Sequence, residues 1–339
     1  MKVLVTGAAG FLGSRLCESL LAAGVDDLRM HFRSAAPRGR VEAISARYPN
    51  ARIETVGANL LNRGTLEPLV SGVDCLVHAA AGMRGSAADM FANTVVGTRN
   101  LLDAACAAKV RRIVLVSSFA VYRTEGLADD AQHDETVPIE PVGAERGSYA
   151  YAKTRQEHLF EEYRARFGFE SVVMRPGVIY GPGTNPLSTR IGVRAFGTFF
   201  LLGGKALLPL AYVDNCADAI ALAALRAPAG SAFNVVDDDL PTCAEYLRRY
   251  RAQAERLRVI PVPYWAFLSG ARMLQRYHAA SKGQLPAVFT PYVVRSMYRP
   301  LRYLNQALKA IGWTPKVSVA EGMRRTFEAV AAEKRTASS

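Results

Sequence analysis

In "GSYAYAKTRQE", residues 147–157, a lysine follows two tyrosines. If the segment is helical, only one of those tyrosines shares a face with it. Tyr149 and Lys153 are four residues apart and stack on one side, whereas Tyr151 points away. Free tyrosine, with a pKa of about 10, is a poor base at neutral pH, but a neighbouring ammonium favours the phenolate. Tyr149 and Lys153 therefore form a candidate proton-transfer pair, and Tyr151 is read as a packing residue.

A second constellation sits at the start of the chain. "VLVTGAAGFLG" places Gly7, Gly10 and Gly13 where a first strand meets a first helix. Gly7 allows a tight turn, Gly10 lets backbone approach a pyrophosphate, and Gly13 permits close helix–sheet packing. The helix N-terminus then offers free N–H groups to the phosphates. The end of the second strand selects the cofactor. NAD sites place an acid about 20 residues on, but "LRMHFRS" offers His31, Phe32 and Arg33, while Asp26 and Asp27 lie at the wrong end. Arg33 can instead clasp a 2′-phosphate, with Arg38 and Arg40 following in the next loop. NADP(H) is therefore expected over NAD(H).

These groups need elements to hold them. Val3–Thr6, Leu28–Phe32, Cys75–Ala79 and Ile113–Ser117 read as strands, with further ones at Ser171–Arg175 and near Phe233–Val236. Helical patterns lie between them, as in "LGSRLCESLLAAG", "RGTLEPLVSG" and "VVGTRNLLDAACAAK". Such alternation predicts an α/β fold, a Rossmann doubly wound parallel sheet with a smaller C-terminal substrate-binding lobe. Residues 1–180 are assigned to the sheet domain, with 212–236 returning to it. Residues 181–211 and 237–330 form the lobe, 123–147 an acidic loop, and 331–339 a disordered tail.

The bulk properties exclude several classes. A chain of 339 residues, 50% hydrophobic and 21% charged, is ordinary for a globular protein. The formal charge of +12 invites nucleic acid, yet the arginines are scattered rather than gathered in a stripe, and a phosphate-bearing cofactor or an anionic substrate accounts for part of it. Five cysteines with no CxxC and no metal spacing predict reduced thiols and no metal. The opening strand leads to no expected signal peptide, and no apolar run reaches a membrane span. A cytoplasmic protein is expected. "VIPVPYWAFLSGARML", 259–274, reads as a buried helix of the lobe rather than a surface anchor.

Together these residues resemble the extended short-chain dehydrogenase/reductase family, the NAD-dependent epimerase/dehydratase group. "TGAAGFLG" is similar to its TGxxGxxG, and this implies that Gly7, Gly10, Phe11, Leu12 and Gly13 contact the cofactor. "VGANLLN" resembles the adenine-side segment, implicating Asn59 (where an Asp is usual) and Leu60. "DCLVHAAA" resembles the strand lining the cofactor, implicating Ala79 and Ala80, and "RPGVIYGPG" implicates Pro176 and Val178. "VSSFAVY" resembles the active-site strand, so Ser118 is expected to orient the substrate oxygen. "YAYAK" matches YxxxK, so Lys153 is expected also to hold the nicotinamide ribose. The family's helix asparagine appears as Thr94, beside Asn93. A homodimer through helices that include the Tyr149–Lys153 helix is likewise implied.

Departures from the family pattern narrow the reaction. Dehydratases carry an acidic pair after the active-site hydroxyl, where this chain has Phe119 and Ala120. Nucleotide-sugar enzymes place an Asn before "YGP" and an Arg ahead of "YVDN", where this chain has Pro176–Gly177 and Leu210. Leucine cannot replace a guanidinium on a diphosphate, although Arg190 or Arg194 could do that work. The motifs look closest to the 3β-hydroxysteroid dehydrogenase and dihydroflavonol-reductase branch. Tyr264, Trp265, Phe267 and Leu268 are compatible with an apolar substrate. The reading is an NADP(H)-dependent ketone reductase or secondary-alcohol dehydrogenase. A nucleotide-sugar 4-epimerase, and more remotely a cofactor sensor, stand as rivals.

Overall fold

A computed structural model of the chain describes residues 1–33, 38–83, 85–281 and 289–338. Seven parallel strands make the main sheet: β1 (Lys2–Thr6), β2 (Asp27–Phe32), β3 (Arg52–Gly57), β4 (Cys75–His78), β5 (Arg112–Val116), β6 (Glu170–Pro176) and β7 (Ser231–Val235). Their order is β7-β6-β5-β4-β1-β2-β3, so the connection reverses between β1 and β4. In such sheets ligands bind beyond the carboxyl ends of the strands at that reversal.

The period of two along a strand sends alternate side chains to opposite cores. Val3 and Val5 of β1 pack with Leu16, Leu20 and Ile220, from the Phe11–Ala22 and Val213–Arg226 helices. Leu4 packs on the other face with Leu101 and Phe160, from the Gly97–Ala107 and Ser148–Phe167 helices. Each such buried aliphatic side chain contributes about 1.5–3 kcal/mol. With both faces covered, β4 and β5 are buried at every residue, as a parallel sheet requires.

Four features differ from the sequence expectations. Strand β3, "RIETVG", is an edge strand with a half-exposed polar pattern, and ion pairs of Glu54 with Arg29 and Lys2 help hold it. The acidic loop contains a short strand, Gln132–His133, paired with Arg302–Tyr303 of the C-terminal lobe. The expected tail is helical as far as Ser338, in the Val319–Ser338 helix. Arg324, paired with Glu321 and Glu328, and Lys334, paired with Glu255, tie that helix down, and the sequence pattern did not reveal these contacts. Arg38 and Arg40 start the Arg38–Arg47 helix rather than lying in a loop, and their side chains lie outside the described residues.

The remaining lobe is built on an aromatic cluster in which Tyr246 and Tyr250 meet Phe327 edge-on. Phe267 and Leu268 pack against Leu202, Val294 and Tyr298. Tyr264 and Trp265 face outward instead, Trp265 being 72% exposed. All five cysteines are free. Among the described residues, no helix is long and apolar enough to cross a membrane.

Candidate active site

The glycine turn is shaped by what cannot fit. Gly7 has φ +74°, and a Cβ there would sit 3.1 Å from the Ala80 backbone. A Cβ on Gly13 would lie 2.1 Å from the Gly7 carbonyl oxygen, closer than real Cβ contacts allow. The turn closes with Gly10 N–H donating to Gly7 O at 2.9 Å, and Ser14 N is the first helix amide to bond back, to Gly10 O. Helix geometry leaves the N–H groups of Phe11, Leu12 and Gly13 facing the reversal point. This backbone cradle fits a pyrophosphate.

Beside it lies a cavity of about 310 Å³ lined by His31, Arg33, Asn59, Leu60 and Ala80, among others. Four residues expected at the adenine end therefore meet here, with Ala79 next to them. Among the described residues, no carboxylate lines the cavity. His31 takes the strand-end position, its Nε2 bonded to Ala58 O at 2.8 Å, and burial lowers its pKa so that it stays neutral. Arg33 is exposed at the rim. Asn59 uses its Oδ1 to accept from Leu61 N–H, which fixes its own loop.

Pro176 ends β6, and Gly177 turns the chain out of the sheet. A Cβ on Gly177 would meet Pro209 O at 2.2 Å. Val178 then opens the Val178–Tyr180 strand, which pairs with Leu210–Tyr212. Leu210 is buried in that pairing, so its position supplies no diphosphate contact.

Ser118 follows β5 and caps the Phe119–Val121 turn, its Oγ accepting from Ala120 N–H at 3.2 Å. Its hydroxyl also lies close enough to the Tyr149 phenol to lower that group's pKa. Tyr149 sits in the first turn of the Ser148–Phe167 helix, which begins after Gly147 at φ +95°. Burial pushes the phenol above its usual pKa, and the Ser118 hydroxyl opposes that rise. Tyr151 stacks on Phe91, with centroids 5.7 Å apart, in the packing role expected.

Lys153 is placed differently from the simple one-turn picture. Its Nζ donates to Val116 O and Gln156 Oε1, both at 2.7 Å. Burial brings its pKa down to about 8, with Glu157 pulling the other way. The lowering of the Tyr149 pKa expected from the ammonium does not accompany the one-turn spacing. The Ser118 hydroxyl is the influence that lowers it.

Residues that the sequence did not single out hold this lysine. Gln156 Nε2 donates to Thr98 Oγ1 at 2.7 Å, and Thr98 donates to Thr94 O at 2.5 Å. His78 bonds Thr98 through Nε2 and Thr6 through Nδ1, each at 2.8 Å. Thr6 in turn accepts from Ala80 N–H. Burial lowers His78 to about 3, so it is neutral and bonds in one fixed tautomer. The chain thus runs from the cofactor strand to Lys153 through Thr98 and Gln156. Thr94, in the asparagine position, instead accepts from Gly82 N–H at 2.9 Å. Gln156 could have been found from its place three residues after Lys153 on the helix; His78 and Thr98 meet it only through the fold.

Behind Ser118, Glu157 accepts from Arg175 Nε at 3.0 Å and from Nη2, and bonds Ser117 Oγ. Arg175 also donates to the Tyr122 hydroxyl, which donates to Asn234 Oδ1 at 2.6 Å. Of the two arginines considered for a diphosphate, Arg194 is paired with Glu255 at 2.8 Å on the surface. Arg190 turns inward toward Met297 O and Tyr303.

A model of the NAD dependent epimerase/dehydratase family matches residues 3–236. The chain is 28% identical over 341 residues to the 2-alkyl-3-oxoalkanoate reductase of Shewanella oneidensis, covering 95% of this chain and 84% of the relative. It is 29% identical over 349 residues to the UDP-glucose 4-epimerase of Mycolicibacterium smegmatis, covering 97% and 98%. The solved structure of gox2253 superposes with a TM-score of 0.76 at 23% identity, over 98% of each chain, a likeness of fold.

Proposed function

The chain belongs to the NAD dependent epimerase/dehydratase family, and we propose that it is an NADP(H)-dependent ketone reductase. Run in reverse it is a secondary-alcohol dehydrogenase, and its substrate is mostly apolar and carries no nucleotide. The observation that carries this reading is the placement of Ser118, capping the turn after β5, against Tyr149 in the first turn of the Ser148–Phe167 helix, where the serine hydroxyl lowers the phenol's pKa. Two hydroxyls side by side can both reach one carbonyl oxygen. Tyr149, kept protonated by burial, is suited to donate the proton that a ketone oxygen needs on reduction. When bound, the nicotinamide supplies the hydride chemistry. Lys153 holds the ribose hydroxyls, and Arg33 holds the 2′-phosphate.

The ketone reduction in the name of the Shewanella relative is of this reaction type. The 4-epimerase named for the mycobacterial relative needs a diphosphate grip, and buried Leu210 and surface-paired Arg194 do not provide one here. A cytoplasmic homodimer packed through the Tyr149–Lys153 helix completes the reading. NADPH absorbance, followed over a panel of ketones with nucleotide sugars alongside, tests it. Oxidation of NADPH by a ketone, weaker with NADH and lost in Tyr149→Phe, is the expected result. Interconversion of a nucleotide sugar with no ketone reduced would overturn it.

A further inference from the structure

The positive charge of the chain is concentrated in one stretch. From Arg256 to Ala320 there are ten lysines and arginines and no aspartate or glutamate, against a formal charge of +12 for the whole molecule. Arg295, Arg299, Lys309 and Lys316 find carboxylates on other elements, in Glu125, Asp129, Asp238 and Asp218. Arg256, Arg258, Arg272 and Arg276 do not. All four are exposed, and none is ion-paired among the described residues.

Two of these arginines lie on the Tyr264–Ala280 helix, which has two unlike sides. At about 100° per residue, Phe267, Leu268 and Ala271 share the side that packs into the lobe. Trp265, Arg272, Met273, Arg276 and Tyr277 fall on the opposite side. Trp265 and Met273 are each 72% exposed, and Tyr277 53%. Ile260 is exposed in the Val259–Pro261 strand that leads into the helix. Phe196 is fully exposed at the tip of the hairpin paired with that strand. The helix that the sequence pattern assigns to the lobe interior therefore buries only one side.

An apolar face interleaved with unpaired arginines narrows the occupant. A second copy of the same face would set arginine against arginine, with no acid on the helix to relieve the repulsion. A bilayer with anionic headgroups satisfies both components. Tryptophan and tyrosine rings sit at headgroup level, methionine enters the acyl boundary, and guanidiniums on flexible stems reach lipid phosphates. Gln275, two residues from both Met273 and Tyr277 and so on the other side of the helix, lines a cavity of about 700 Å³ with Glu140, Gly143 and Glu145. The acids of that cavity thus lie behind the outward face rather than on it.

We propose that the Tyr264–Ala280 helix docks the C-terminal lobe on an anionic membrane surface. Trp265, Met273 and Tyr277 enter the boundary between headgroups and acyl chains, and Arg272 and Arg276 bind lipid phosphates. The helix lies along the surface and does not cross it. This goes beyond the reductase reading and does not depend on it.

Sedimentation of the full chain with phosphatidylcholine vesicles, with and without phosphatidylglycerol, tests the proposal. Binding to the anionic vesicles that weakens as salt is raised is expected. The chain has two tryptophans, and Trp313 is buried with its indole donating to Asn215 O. A blue shift of emission on vesicle addition, with quenching by brominated lipid, therefore reads Trp265. Arg272→Gln together with Arg276→Gln should weaken vesicle binding about 30-fold. Trp265→Ser should weaken it too and abolish the shift, with melting temperatures reporting that the variants fold. Equal binding to neutral vesicles, binding to neither kind, or anionic binding that the double variant retains would overturn the proposal. So would retention by duplex DNA but not by anionic vesicles.

Discussion

At the scale of the residue, Lys153 is the member of the Ser118–Tyr149–Lys153 set whose charge changes within the working range. Only 3% exposed, it has a pKa that burial brings from the ordinary lysine range down to about 8, so its ammonium is lost as pH rises through about 8. Tyr149 is shifted the other way and remains protonated there. If the charged lysine supports ribose binding, reduction holds level below that point and declines above it. Gln156→Leu removes an acceptor from the ammonium and should move this inflection down by about one pH unit. An inflection that stays put in the pH profile of kcat/KM would contradict the role given to Gln156. Arg33 belongs to the same scale: Arg33→Ser is expected to weaken NADPH binding about 10- to 100-fold and leave NADH nearly unchanged, as titration of each cofactor would report. The chemistry-bearing residues were legible because Tyr149–Lys153 and the glycines are coded by local spacing. Thr98, His78 and Gln156 come from three elements, their bonded pairs lying 20, 58 and 78 positions apart, and only the fold assembles them.

Elements position these groups through contacts that tolerate little change. A Cβ at Gly13 would overlap the Gly7 carbonyl oxygen at 2.1 Å, so the first helix cannot keep its seat on the turn. Gly13→Ala should cost about 1–3 kcal/mol and reduce cofactor binding with it, measured by denaturant unfolding and by NADPH titration. The Ser148–Phe167 helix is fastened at Glu157, whose removal leaves Arg175 buried without its acid. Glu157→Leu is expected to destabilise by about 3–5 kcal/mol, and a loss below about 1 kcal/mol would show the pair to be dispensable. The strands that bury both faces were readable as continuous apolar runs. The edge strand β3 was not, because its half-exposed polar residues carry no such signal, nor was the end of the last helix, which is held by surface ion pairs. The short Gln132–His133 strand takes its partner, Arg302–Tyr303, from 170 residues away, beyond any local pattern.

For the whole molecule, the parallel sheet brings the glycine turn after β1 and Ser118 after β5 to its carboxyl end, where the Tyr149 helix packs against the Ser118 turn. That convergence accounts for net reduction of a ketone as the central claim, and it separates this activity from epimerisation by the fate of the hydride. A single turnover with NADPH deuterated at the transferring position, analysed by mass spectrometry of products, reads that fate. The account predicts deuterium on the carbinol carbon of a released alcohol, one NADP⁺ formed for each, and none of either with Tyr149→Phe. Deuterium retained on the cofactor while a nucleotide sugar changes configuration would contradict it.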